Sequence, residues 1–326
     1  MKKYRHFISD VLCSIFLLSA TTQVAMACVA SASTTPSTIN YGSHTSQNVP
    51  LGNISPNGTA AAASFSVTCS LGLTLSLLGT SSWLRYTAQK PLTISNGTDT
   101  ISYVMGSNST YTPVITASGQ SIGGQLGFQL LGLGLLTTGV VNIPLHVKTA
   151  TTSIWPSAGT YTGTQSLLVD GAICTGIGIG GLCLGTTPVN SVTTMSMTMI
   201  VSKSCEFVSS PTLVDFGVVS FLENAPTATL STSLRCTNSE DYLFYPDNGN
   251  NYVSGSRNMV SPGGQSIKYQ IYQPSSTSVL ISASNPLSRF GTGASETIAL
   301  PIRITSGQPA AIAGTYTDNV RMVIEY

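Results

Sequence analysis

The sequence predicts an all-β protein of two immunoglobulin-like β-sandwich domains, the C-terminal one lacking its last strand. Three observations predict this. Apolar and polar residues alternate with period two over residues 64–69, 145–149 and 320–326, the pattern of strands with one buried face. Thr, Val, Ile and Tyr dominate such stretches, Gly, Pro, Asn and Ser punctuate them, and no amphipathic helical pattern intervenes. The chain also resembles itself once, in units much longer than a solenoid repeat, so the repeat marks two whole domains.

In chain order, the N-terminus carries Lys2, Lys3 and Arg5, then an apolar stretch over 11–20, then the small-x-small site Ala25-Met26-Ala27. This is the pattern of a secretory signal peptide spanning 1–27, with an apolar stretch too short to cross a bilayer as a helix. The mature chain then starts at Cys28. Charged residues are only 8% of the 326, against roughly 25% in ordinary soluble chains. So few Lys and Arg cannot neutralise many phosphates, which excludes a nucleic-acid partner. A net charge of +1 with 42% hydrophobic residues excludes disorder.

Of seven cysteines, Cys13 lies in the leader and six remain. An even number in an exported protein reads as disulfides, with fifteen possible connectivities. No Cys-x-x-Cys occurs, and His44 and His146 stand far apart without neighbouring ligands; neither a metal site nor a cofactor is expected.

The repeat sets the domains. The first copy runs from Cys28 through Ile39-Asn40-Tyr41-Gly42 to Cys69, and the second from Cys205 through Val214-Asp215-Phe216-Gly217 to Cys236. Further on, Ile143-Pro144-Leu145-His146-Val147 matches Leu300-Pro301-Ile302-Arg303-Ile304, and Gly159-Thr160-Tyr161-Thr162 matches Gly314-Thr315-Tyr316-Thr317. The domains are therefore 28–201 and 202–326. That division selects the pairings Cys28–Cys69, Cys174–Cys183 and Cys205–Cys236.

The copies end differently. After Tyr161 the first continues through a strand at 164–169, a loop, and a β-like stretch at 188–201 that includes Val189, Met195, Met197, Met199 and Val201. After Tyr316 the second has only the strand at 320–326. A sandwich without its last strand is expected to expose an unpaired edge and an apolar groove.

The first domain also holds three glycine-rich apolar segments without counterpart in the second. They carry Leu73, Leu75, Leu77 and Leu78; Leu130, Leu131, Leu133, Leu135 and Leu136; and Ile177, Ile179, Leu182 and Leu184. Each falls in an alternate connection of an antiparallel sandwich, and alternate connections emerge at one end. The segments are therefore expected to cluster at one pole, away from the second domain, as a surface-binding patch. Gly-x-Ser-x-Gly, His-Glu-x-x-His and phosphate-loop patterns do not occur, and no carboxylates pair as acid and base; no enzyme activity is expected. Trp83, Trp155 and Tyr86 are the aromatic residues that could instead platform a sugar.

The Cys…(aromatic)-Gly opening, the internal Cys and the closing Gly-Thr-Tyr-Thr strand, repeated in order, resemble the spore coat protein U family. That family includes the pilins of archaic chaperone–usher pili, and two such domains in tandem resemble their tip adhesins. The resemblance implies a pilin-type second domain completed by donor-strand complementation, a case of strand addition to a sheet edge. Its implied partners are a periplasmic pilus chaperone, an outer-membrane usher and the next pilin subunit, which donates a strand. Because no spare strand precedes Cys28, the chain is expected to accept a strand and not to give one. The implied role is attachment of a pilus tip to apolar or host surfaces, and biofilm formation, after export through the periplasm to the cell exterior. A carbohydrate-binding, lectin-type pilus adhesin is the alternative.

Overall fold

The computed structural model describes residues 28–31, 38–56, 61–69, 83–125, 140–179 and 182–326. The signal sequence, most of the first apolar segment and all of the second lie outside them. Among the described residues the chain is all-β apart from one 3-10 turn, Leu222–Asn224.

The first eleven strands are β1 Cys28–Ser31, β2 Thr38–Thr45, β3 Ala63–Cys69, β4 Trp83–Ala88, β5 Thr93–Ser95, β6 Thr100–Gly106, β7 Val114–Ile115, β8 Ser121–Gln125, β9 Val140–Thr149, β10 Gly159–Ile179 and β11 Leu182–Ser202. Their ladder runs β11-β1-β3-β9-β6-β5-β10 and closes where β10 pairs β11. The long strands β10 and β11, 21 residues each, tie the two sides together. β11 takes β2 and β1 in parallel along one edge and β10 antiparallel along the other. Period-two burial follows the sequence pattern: Tyr161, Gln165, Leu167, Val169 and Ile173 of β10 point inward, as do Met195, Met197, Met199 and Val201 of β11. All of these but Gln165 join Ile39, Tyr41, Tyr103 and Val147 in one hydrophobic core. Gly163 and Gly171 let β10 lie tight against its neighbours. An added Cβ at Gly171 would stand 2.3 Å from the Trp83 carbonyl oxygen.

The expected loop around Cys174–Leu184 is instead ladder. β10 runs on to Ile179 and β11 starts at Leu182, so the stretch expected to begin at 188 is the body of a longer strand. The hairpin closes this way because the antiparallel pairing from Gly159 upward simply continues, with one register shift between Cys174 and Ile177.

The remaining strands are β12 Cys205–Ser209, β13 Ala228–Cys236, β14 Asp241–Pro246, β15 Arg257–Val260, β16 Ser266–Ile271, β17 Leu287–Phe290, β18 Ser295–Ile304 and β19 Met322–Glu325. They form two sheets, β12-β13-β18-β16-β15 and β17-β14-β19, packed on a second core centred on Leu234, Tyr242, Phe244, Ile271, Ile298 and Leu300. The disulfide Cys205–Cys236 spans the directly paired positions of β12 and β13. Cys28 and Cys69 are likewise direct partners on β1 and β3.

Candidate functional site

Two places stand out: one end of the first sandwich and one edge of the second.

At the first, strand ends converge. Cys28 is level with Cys69 and Val189, Val189 with Gly171, Trp83 with Ala172 and Gln125, and Val140 with Thr68. Segment 70–82 leaves from Cys69 and returns at Trp83; segment 126–139 leaves from Gln125 and returns at Val140. Both are therefore anchored at the Gly171–Val189 level. Leu73, Leu75, Leu77 and Leu78, and Leu130, Leu131, Leu133, Leu135 and Leu136, lie outside the described residues. From that level the β10–β11 hairpin runs on with no other ladder partner among the described residues. Its register sets Ile177 opposite Leu184 and Ile179 opposite Leu182, with Gly178 opposite Cys183. Directly opposed positions share a face. On β11, Thr186 and Asn190 are exposed while Thr187 and Val189 are buried. The register shift puts an extra residue into β10, as a bulge does when it re-aims a strand. Cys174 is opposite Thr186, so the register does not set Cys174 opposite Cys183.

This end lies far from the second sandwich. Val189 and Ser202, the last residue of β11, are separated by a strand length of roughly 40 Å at about 3.3 Å per residue. It is also free of charge: no Asp, Glu, Lys or Arg occurs in 65–84, 124–143 or 171–202. The nearest ions neutralise each other. Arg85 and Asp170 are direct cross-strand partners, and the guanidinium donates from Nε to Oδ1 at 3.2 Å and from Nη2 to Oδ2 at 2.6 Å. The carboxylate holds the Arg85 pKa above its ordinary value.

Of the aromatic residues, Trp83 is 38% exposed, next to Arg85. Tyr86 is buried in the core, and Trp155 is only 2% exposed. It sits where the two sandwiches meet, under the Arg235 guanidinium. That contact is the part sequence reasoning missed. Nothing local marks Trp155 as an inter-domain residue.

The second place is the outer edge of β19. Its one ladder partner among the described residues is β14. In the first sandwich the equivalent strand, β10, is covered by β11, and β2 lies on the far side of β11. The counterpart of β2 is 213–220, from the matching Tyr41-Gly42 and Phe216-Gly217. This stretch forms no strand, and Leu213 is 78% exposed. The burial contrast is direct. Ile39 and Tyr41 are buried, whereas Val214 and Phe216, with Val320, Met322 and Ile324 from the opposite side, are only half-buried against the second core. Among the described residues no strand pairs with both of these stretches, whereas in the first sandwich β11 pairs with both β2 and β10.

A tandem of immunoglobulin-like sandwiches, one closed and one open along an edge, is the class of protein these features define. Residues 191–323, in the C-terminal part of the chain, match the family model of the Spore Coat Protein U domain. Among solved structures, the chain is similar to the tip adhesion subunit CsuE of the archaic chaperone-usher Csu pili of Acinetobacter baumannii, solved in a pre-assembly complex with the chaperone CsuC. The identity is 20% over 92% of this chain and all of the other, with a TM-score of 0.49. It is also similar to the CupB6 tip adhesin from Pseudomonas aeruginosa, at 13% identity over 80% of this chain and 85% of that one, with a TM-score of 0.31. No curated protein sequence matches the chain.

Proposed function

We propose that the protein is the adhesive subunit at the tip of a chaperone–usher pilus. It is exported through the periplasm, attaches the fibre to apolar surfaces through the far pole of its first sandwich, and promotes biofilm formation. The observation that supports this reading is that the described strand ends flanking two of the uncharged, apolar segments lie at one level of the first sandwich, from which the β10–β11 hairpin carrying the third runs on, on the side away from the residues that match the Spore Coat Protein U domain. An uncharged apolar pole gains on contact by losing water from both surfaces. Each Leu or Ile fully buried contributes on the order of 1.5–3 kcal/mol, so several half-buried ones hold without a shaped pocket. Sugar binding is less well supported, because Tyr86 and Trp155 are buried.

The open slot between 213–220 and 320–326 supports assembly by strand donation. A strand there would run antiparallel to β19 and parallel to 213–220, as β11 runs relative to β10 and β2. A periplasmic chaperone fills the slot first, and the next pilin subunit replaces it at the outer-membrane usher. None of these steps is a chemical reaction, and the protein is not an enzyme in this reading.

The test is to replace Leu75, Leu133 and Ile179 with Asp. A carboxylate pressed unpaired against an apolar surface costs several kcal/mol. Attachment to plastic is expected to be lost, with fibre yield unchanged because assembly uses the other sandwich. Normal fibres with undiminished attachment would refute the apolar pole, and a loss of fibres would mean that these residues serve the core of the first sandwich.

A further inference from the structure

We infer that the near end of the second sandwich is a receptor surface for the first: a socket that seats Trp155 and Asp99 and locks the two sandwiches into one rigid body. This inference rests on the junction alone and does not depend on what the far pole binds.

The covalent link is short. β11 ends at Ser202 and β12 begins at Cys205, and two linking residues could still act as a hinge. Contacts on several sides of the link prevent that. At the end of β2, the Ser46 hydroxyl lies 2.8 Å from that of Ser204 and 2.6 Å from that of Thr237, all three residues buried. Next to it, Gln47 Nε2 donates to Glu206 Oε2 at 2.8 Å. From the turn after β5, Asp99 Oδ2 accepts from Asn238 Nδ2 of the second sandwich at 2.9 Å and from the Ser157 amide at 2.7 Å. Burial pushes the Asp99 carboxyl up, but these hydrogen bonds outweigh it and hold the pKa below its ordinary value. From the β9–β10 connection, the Trp155 amide donates to the Gly293 carbonyl at 3.0 Å. The Arg235 guanidinium stands 5.5 Å from the Trp155 ring, a cation–π distance.

The socket is shaped for this occupant. Gly293 has φ +70°, and an added Cβ would stand 2.4 Å from both Ile154 Cγ2 and the Trp155 carbonyl oxygen. Three separate connections of the first sandwich therefore engage the ends of β12, β13 and the β17–β18 turn. A rotation about residues 203–204 large enough to release one contact breaks the others, so the junction has no low-cost bend. The far pole is held in one direction relative to the strand-accepting slot.

The experiment uses the full chain with spin labels at Thr162→Cys and Ser288→Cys, both exposed, and measures the distance between labels by double electron–electron resonance. One narrow distance distribution is expected. Gly293→Val and, separately, Trp155→Ala are expected to lose it for a broad one and to make Lys203, in the link, newly open to trypsin. Should Gly293→Val not fold, Trp155→Ala carries the same reading. A broad distribution in the unsubstituted junction, or a folded Trp155→Ala chain as narrow and as trypsin-resistant at Lys203 as its parent, overturns the inference.

Discussion

Appending a copy of residues 189–201 after Tyr326, through a short turn, should complete the second sandwich. The direction is right for it. β19 runs antiparallel to β14, Leu243 opposite Glu325 and Pro246 opposite Met322, so a strand turning back from the end of β19 enters the slot as β11 returns along β10. The acceptor gains by covering the exposed halves of Val214, Phe216, Val320, Met322 and Ile324. At ~1.5–3 kcal/mol for full burial, five half-buried residues give about 5 kcal/mol. The appended counterparts of Met195, Met197, Met199 and Val201 give about 8 kcal/mol on the same scale. Ordering some thirteen residues costs on the order of 20 kcal/mol, and a similar number of ladder hydrogen bonds return about 1 kcal/mol each. The net gain is on the order of 5 kcal/mol, or roughly 20 °C in the Tm of a domain this size. Thermal unfolding of the extended and parent chains, followed by near-UV circular dichroism, measures it. The control carries Ser at the three appended Met positions. An unchanged Tm, or equal stabilisation by the Ser control, would refute the open-slot reasoning.

Three further outcomes are expected. Cys205→Ser removes a cross-link spanning 31 residues and should cost about 3–4 kcal/mol of stability in the second sandwich, read by urea unfolding. Arg257→Met leaves three carbonyl acceptors, two of them in buried hydrogen bonds, without their donor. Arg257 is 2% exposed and donates to the carbonyl oxygens of Asp247, Pro246 and Ile281; the loss should be roughly 2–4 kcal/mol, and Lys should not rescue it because one ammonium cannot reproduce the fork. His146 is buried with Nδ1 unpaired, and burial lowers its pKa. The unfolded chain takes up that proton near pH 6.5 and the folded chain only at lower pH. The stability tied to the neutral ring is thus complete above pH 6.5 and declines as pH falls through the interval between the two values. Thermal melts from pH 7.5 to 5 should show this decline in the parent and a flatter profile in His146→Phe; equal slopes would count against it.

Much of this was legible in the residues. The alternation over 64–69 and 195–201 became β3 and the inward row Met195, Met197, Met199 and Val201, because a strand's two faces are fixed by chain geometry alone. The matched pairs Cys28/Cys205 and Cys69/Cys236 announced two sandwiches of one kind, and both pairs occupy directly opposed positions on neighbouring strands. The segment at 174–184 reads as a loop in the sequence and is ladder in the structure. Alternating glycine reads locally as a turn, but pairing with a partner strand already in register overrides that preference.

What the sequence by itself determined is the element type, the inward face of each strand, the uncharged character of the far end and the relation between the two copies. These follow from neighbours along the chain. Only the tertiary structure decided which strands found partners. Ile39-Asn40-Tyr41-Gly42 and Val214-Asp215-Phe216-Gly217 are near-equivalent words, yet the first is a buried strand and the second is not, because β11 lies beside one and no described strand beside the other. Trp155 was in the same position. Its indole could have been a surface platform, and it became the key of the junction only because Arg235, more than seventy residues on, closes over it. β pairing and domain docking join residues distant in sequence, so their outcome depends on the geometry of the whole fold, which no local pattern encodes.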